Sequence, residues 1–276
     1  MAIGDISLTA SMRSILVSLQ ENSNLMNRTQ ERLSTGKKVN SALDNPANYF
    51  AAKGHTDRAN ILDGRKDAMG EAIQTIKAAD KGIKAITSLI ETARGIVSQA
   101  RSSLGNATAM GALDDQLNEI YNQIDRIVVD SGYKGVNLLL SATSLVVRYN
   151  EDGTSSTTLS GFDASTAAAG LNLVDQTWDD TTTNANLDTV ETAMNAALTT
   201  LRTRAAGLAS SLNIIQTRVS FTTDMVNTLT EGANKLTAAD INEEGANMLM
   251  LQTRQQLGTT ALSLASQAAQ GVLRLF

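Results

Sequence analysis

The feature that most constrains the fold is an apolar seam that keeps helical spacing without a break. Ala72, Ile76, Ala79, Ile83, Ile86, Ile90, Ala93, Val97, Ala100 and Leu104 alternate four and three residues apart. Such a row packs lengthwise on other helices, over about five heptads. Gly105-Asn106 is a stop signal after a helix over 70–105. Leu113, Leu117, Ile120, Ile124 and Ile127 repeat the spacing, and Ser131-Gly132 closes that helix. Beyond a gap, Leu187, Met194, Leu201, Leu208, Ile215 and Leu229 recur on sevens. Leu198, Ala205, Leu212, Val219 and Val226 form the second row, and Glu231-Gly232 is read as the end of this helix. The three seams predict an elongated bundle. Composition agrees: aromatics are 3% and there is one Pro, so little interrupts long helices.

The two ends carry separate seams. In the first helix candidate, 5–33, Met12, Leu19, Met26 and Leu33 lie seven apart, with Leu8 and Leu16 beside them. This row weakens at Ser23 and Gln30. At the other end Thr237-Ala-Ala-Asp240 reads as a helix start. Ile241, Met248, Leu262, Ala269 and Phe276 follow on sevens, with Gln255 as the polar member. The companion row is Glu244, Leu251, Gly258, Ala265 and Val272. Neither end has a neighbouring partner in sequence, so the two are expected to pair with each other, with other copies, or both. Two helices alone bury little, so their ordering is expected on assembly. Residues 34–56, with Gly36 and Asn45-Pro46, read as a structured linker.

The stretch 132–186 changes character. Leu138-Leu-Leu140 and Ser144 to Tyr149 are short β-type runs. Asp152-Gly153 signals a turn, with Thr154 to Thr158 as the returning strand. The remainder is small and polar, an exposed insert with Trp178 as its packing plug. Residues 150–170 are expected to be dispensable for assembly. The fold class is thus mainly α: a terminal coiled-coil pair and an elongated helical bundle with a small hairpin-bearing insert. The expected domains are 1–40 with 237–276, then 41–131 with 187–236, then 132–186.

Several function classes fall away. A net charge of −5 opposes nucleic-acid binding. With no Cys and His55 as the one histidine, neither a thiolate nucleophile nor a His/Cys metal cluster can be built. Phosphate loops of the GxxxxGK type are absent. Asp114-Asp115, Asp179-Asp180 and Glu243-Glu244 read as solvated faces or helix starts, and His55 as a polar interface residue. No cofactor and no enzyme activity is expected. The first ten residues lack a basic start and apolar core, which predicts a route that reads no cleaved signal.

Gln30-Glu-Arg-Leu-Ser-Thr-Gly-Lys-Lys-Val-Asn-Ser-Ala-Leu-Asp-Asn-Pro-Ala47 resembles the N-terminal signature of bacterial flagellin. Tyr133-Lys-Gly-Val-Asn-Leu-Leu139 is similar to the segment closing that family's N-terminal arm. Ala239-Asp-Ile-Asn-Glu-Glu-Gly-Ala-Asn247 and Gln256-Leu-Gly-Thr-Thr-Ala-Leu-Ser-Leu-Ala-Ser-Gln267 resemble its C-terminal signature. The likeness covers roughly 1–140 and 187–276, and the short middle is similar to small alphaproteobacterial flagellins. The resemblance implies an extracellular filament subunit for swimming motility, exported unfolded through a type III apparatus with a chaperone, and assembled beside cap and hook–filament junction proteins. It implies no membrane or nucleic-acid partner. Terminal helices would line the filament core, and the middle would face solvent.

By resemblance Leu33, Ser34, Thr35, Gly36, Asn40, Ser41, Asp44 and Ala47 belong to a linker that contacts neighbouring subunits, where Asn45 and Pro46 depart from the common acidic or Ala residues. With the seam residues Met12, Leu16, Leu19, Met26, Ile241, Met248, Leu251, Leu262, Ala265, Val272 and Phe276, these form the expected assembly interface. Many flagellins activate an animal Toll-like receptor. Arg94 and Gln99 fit that pattern, whereas Thr92 stands for an Arg and Gly95 and Gln116 for Glu, which implies weak or no activation. The competing readings are a junction or cap-proximal relative, a secreted coiled-coil effector or adhesin, and an enzyme. Filament formation by purified protein separates them.

Overall fold

The computed structural model describes residues 10–173 and 177–273, with side chains through 271. In chain order it has α1 (Ala10–Thr35), α2 (Pro46–Ser102), α3 (Ala107–Asp130), β1 (Ser144–Arg148), β2 (Ser156–Ser160), α4 (Asn184–Thr237) and α5 (Ile241–Leu273). The chain divides into two compact units. The first is Met1–Asp57 with Thr228–Phe276, and the second is Arg58–Asn227. Both α2 and α4 contribute to each unit. No described helix is long and apolar enough to cross a membrane.

The second unit is built on the predicted seams. Ile76, Ile83, Ile86, Ile90 and Val97 of α2 are buried with Leu117, Ile124 and Val128 of α3 and Leu187, Met194 and Leu201 of α4. Asn106 starts α3 by accepting from the Ala109 amide (3.1 Å), and Gly105 precedes it at φ +82°. Burying an aliphatic side chain of this size contributes about 1.5–3 kcal/mol, so this row accounts for a rigid body.

The insert differs from its expectation. β1 and β2 pair antiparallel, Leu145 opposite Leu159 and Val147 opposite Thr157. The second strand starts at Ser156 instead of Thr154, because Asn150 organises a longer loop. Its side chain accepts from the Ser155 amide (3.0 Å) and donates to Thr154 Oγ1 (2.6 Å). Leu138 and Leu139 form no strand; they are buried in turns. Leu159, Phe162, Leu171, Leu173 and Trp178 belong to the same buried cluster as the helices. Within 150–170 Leu159, Phe162 and Ala164 are buried, while the rest of the stretch is half-buried or exposed.

Two helix limits also move. The linker ends at Asn45, since the Asn45 side chain accepts from the Asn48 amide (3.1 Å) and Pro46 opens α2. A missing N–H and a fixed φ suit Pro at a first helical position. α4 runs through Gly232 to Thr237, whose hydroxyl donates to the Ala233 carbonyl (3.0 Å). Asp240 caps α5, accepting from the amides of Asn242 (2.9 Å) and Glu243 (3.3 Å).

Candidate assembly surface on the terminal helices

α1 and α5 pair antiparallel within one copy, so the first unit closes without a second chain. Met12, Leu19, Met26 and Leu33 of α1 face this pairing, buried or half-buried, and Leu16 stands at its edge, 39% exposed. From α5, Met248, Leu251, Gly258, Leu262 and Ala265 are buried or half-buried. Ile241 is 63% exposed. Leu8, Phe276 and the Val272 side chain lie outside the described residues. At Gly258 the helices have no room for a side chain: a Cβ there would stand 2.6 Å from Leu19 Cδ2. The Leu19 knob fills the space that any larger residue at 258 would take.

Polar residues inside the seam set its register. Asn22 is buried, and its amide nitrogen donates to the Leu251 carbonyl (2.8 Å) and to Gln255 Oε1 (3.3 Å). Arg32 Nη1 meets Glu244 Oε1 at 2.7 Å, with side chains 17% and 6% exposed. Both contacts exist only when α5 runs at one height along α1. A slip of one turn would leave two buried polar groups, Asn22 and Glu244, without these partners, each costing about 1–3 kcal/mol. Asn22, Thr29 and Arg32 were not among the residues expected from sequence.

The linker is fixed by backbone bonds. Lys38 and Val39 donate to the Thr237 carbonyl (2.7 and 3.3 Å), and Ala239 donates to the Gly36 carbonyl (3.0 Å). Gly36 adopts φ +67°, a region costly for residues with a Cβ. The hydroxyls of Ser34 and Thr35 donate to the Glu31 carbonyl. Asp44 Oδ2 accepts from the amides of Asn40 (3.1 Å) and Ser41 (3.0 Å) and from the Ser41 hydroxyl (3.2 Å). The Ser41 and Asn40 amides hold its carboxyl below the usual range. Leu43, at the tip of this turn, is 96% exposed.

A second apolar stripe runs along α5. Met250, Leu257 and Leu264 lie seven apart and are 45%, 66% and 61% exposed. On helical spacing they sit about 120° round from the row that meets α1. One covered and one bare apolar face on the same helix call for a second partner.

Of the receptor-patch residues, Thr92, Gly95, Gln99 and Gln116 line one open groove of about 580 Å³ between α2 and α3. Arg94 does not line it; it pairs with Glu91 (3.3 Å) and with Glu191 of α4 (3.7 Å). Elsewhere, among the described residues, no three His, Cys, Asp or Glu side chains converge on a metal position. His55 is half-buried beside Gly232.

Comparison with known proteins places this geometry in a family. Residues 6–144 match the bacterial flagellin N-terminal helical region, and residues 187–276 match the C-terminal helical region. Flagellin FljK of Caulobacter vibrioides is 30% identical over 278 residues, covering 100% of both chains. Flagellin FljO of the same organism is 29% identical, again over 100% of both. A Brucella melitensis flagellin is 28% identical over 99% of each chain. With both helical arms matched and a full-length relative at this identity, the chain belongs to the bacterial flagellin family, as a structural subunit whose terminal helices pack together.

Proposed function

We propose that the chain is the repeating subunit of an extracellular flagellar filament used for swimming, polymerising through packing of α1 and α5 between copies. The observation that carries this reading is the bare stripe Met250–Leu257–Leu264 beside an already filled seam. Covering one such side chain contributes about 1.5–3 kcal/mol, and one stripe recurs in every copy. The domain assignment follows. Residues 1–40 with 237–276 form the filament core, 41–131 with 187–236 the outer tube, and 132–186 the outward-facing insert. The interface residues from Met12 to Asn40 and from Ile241 to Phe276 act within the core, and Asp44 acts in the linker that joins it to the outer tube. Partners are further copies, a cap, hook–filament junction proteins, an export chaperone and the type III apparatus.

The receptor patch supports weak or absent Toll-like receptor activation. Its groove presents Thr92, Gly95 and Gln116 where activating members carry charged groups, and Arg94 is engaged by two carboxylates. The experiment for the main reading is sedimentation and electron microscopy of purified protein. Wild type forms long filaments, and Leu257→Asp leaves monomers with unchanged helicity. Filaments of normal length from Leu257→Asp would overturn the role of this stripe. A wild type that stays monomeric at high concentration would overturn the polymer itself.

A further inference from the structure

Within the second unit α3 and the middle of α4 carry opposite charge. α3 carries Asp114, Asp115, Glu119, Asp125 and Asp130 against Arg126 alone. α4 does the reverse: from Thr192 to Thr223 it holds Arg202, Arg204 and Arg218 and no carboxylate. The acids near the start of α4, Asp188 and Glu191, are taken by Arg101 and Arg94. Among the described residues Arg204, Arg218, Asp115, Glu119 and Asp130 are exposed and form no ion pair.

The two arginines are also held in place. The Arg204 guanidinium lies 5.2 Å from the centre of the Phe162 ring, and that of Arg218 lies 5.1 Å from the Tyr149 ring. Fourteen residues apart, they share one face of α4 and stand about 21 Å apart along it. On α3 the span from Asp115 to Asp130 is about 22 Å, again on one face. Each face has exposed apolar area: Ile214 (48%) and Phe221 (55%) on α4, Val129 (66%) on α3. The faces are therefore opposite in sign and similar in length, and each carries exposed apolar area.

We propose that the basic face of α4 in one copy docks on the acidic face of α3 in a second copy, with Arg204 and Arg218 meeting Asp115, Glu119 and Asp130. The two faces differ, so the contact is head-to-tail, the type that builds an open polymer when its rotation does not close a ring. This rests on the polymer reading but not on the terminal helices. Steering by opposite charges at such a contact weakens as salt rises.

The test uses the full chain in four forms. The basic face is reversed by Arg204→Glu with Arg218→Glu, and the acidic face by Asp115→Lys with Glu119→Lys. The third form carries all four changes, and the fourth is wild type. Critical concentration is read by sedimentation and micrographs at several salt concentrations, with helicity of each monomer read by circular dichroism. Each single-face reversal is expected to raise the critical concentration about tenfold or more. An equimolar mixture of the two, and the four-change form, are expected to return towards wild type. The Asp115→Lys/Glu119→Lys form leaves the arginine–aromatic contacts alone, so its defect cannot come from disturbing the insert. Unchanged assembly of both reversals, or failure of both rescues with helicity intact, would overturn the contact while leaving the polymer reading standing. Binding of the basic face to an unrelated anion would show as a lost interaction without any change in critical concentration, and also overturns it. No polymer from wild type overturns both.

Discussion

Glu244→Leu removes one side of the Arg32–Glu244 pair, and its effect follows from the geometry. At 2.7 Å, with Glu244 6% and Arg32 17% exposed, the pair is largely dry. Breaking a buried pair costs about 3–5 kcal/mol, mainly by stranding the remaining charge. Arg32 keeps some contact with water, so about 2–3 kcal/mol is expected here. Arg32→Met should cost a similar amount. Replacing both by apolar residues strands nothing, so the double variant should lie within about 1 kcal/mol of wild type. Hydrogen exchange of α5 amides in the full-length monomer reads this directly. A loss of about 2 kcal/mol in the free energy of opening speeds exchange roughly 30-fold. Protection returning in the double variant identifies the pair as a register device. Unchanged α5 protection in Glu244→Leu, or a double variant equal to the sum of the singles, would refute this account.

The other predictions concern different parts of the chain. Leu262→Asp puts a charge into the α1–α5 seam and should abolish filaments; the thermal transition of the bundle around Ile83, Ile90 and Leu201 should not move. Trp178→Ala empties a site that is 2% exposed and should lower bundle stability by about 3–5 kcal/mol in denaturant titration. Asp44 has a lowered folded pKa, set first by the Ser41 and Asn40 amides. Its support of the 40–44 turn is therefore full above the ordinary carboxylate range and is lost as pH falls through the depressed folded value; NMR shifts of the Asn40 and Ser41 amides should move in that window and stay flat in Asp44→Asn. Endotoxin-free monomer should stimulate Toll-like receptor reporter cells weakly or not at all, since missing charged contacts cost about 2–5 kcal/mol at an interface. A dose response equal to that of an activating flagellin would refute it.

What the sequence shows and hides follows from the range of the signal. The four-three spacing of α2 is local, and every one of its seam residues from Ala72 to Ala100 is buried. Asn22 gives no local signal because its partners, Leu251 and Gln255, lie 229 and 233 residues away. The one available hint was Gln255, a polar residue on the matching row at the other end. The Met250 stripe is a third apolar row on α5, and its period is masked by the two rows beside it. Local signals misplace the limits of α2 and α4 because Pro46 and Gly232 both read as breakers. Pro is well suited to a first turn, and a single Gly costs only about 1 kcal/mol inside a long helix. The insert reads as an exposed excursion because its apolar residues lack periodicity. Leu159 reaches the core from a five-residue strand and Phe162 and Trp178 from irregular backbone, too short or too irregular for a local pattern to record.

The two units are stabilised in opposite ways, and this bears on when the first one becomes rigid. Every one of the largest fully buried side chains, from Met69 to Leu201, lies in the second unit. The first unit buries Asn22, Thr29 and Glu244 at its helix contact, while Leu249, Leu257, Leu264 and Leu43 remain in water. Polar pairs specify register but add little net stability, whereas bare leucines add stability only once covered. On the polymer reading, the inner seam thus selects how α1 and α5 meet, and neighbouring copies supply most of the free energy that holds them there. Stability of this unit would then depend on protein concentration, as binding to the folded form requires. Protection of α5 amides should rise steeply above the critical concentration, while protection of the α2 seam stays constant. Equal protection of α5 in monomer and filament would show that the helix pair needs no neighbours.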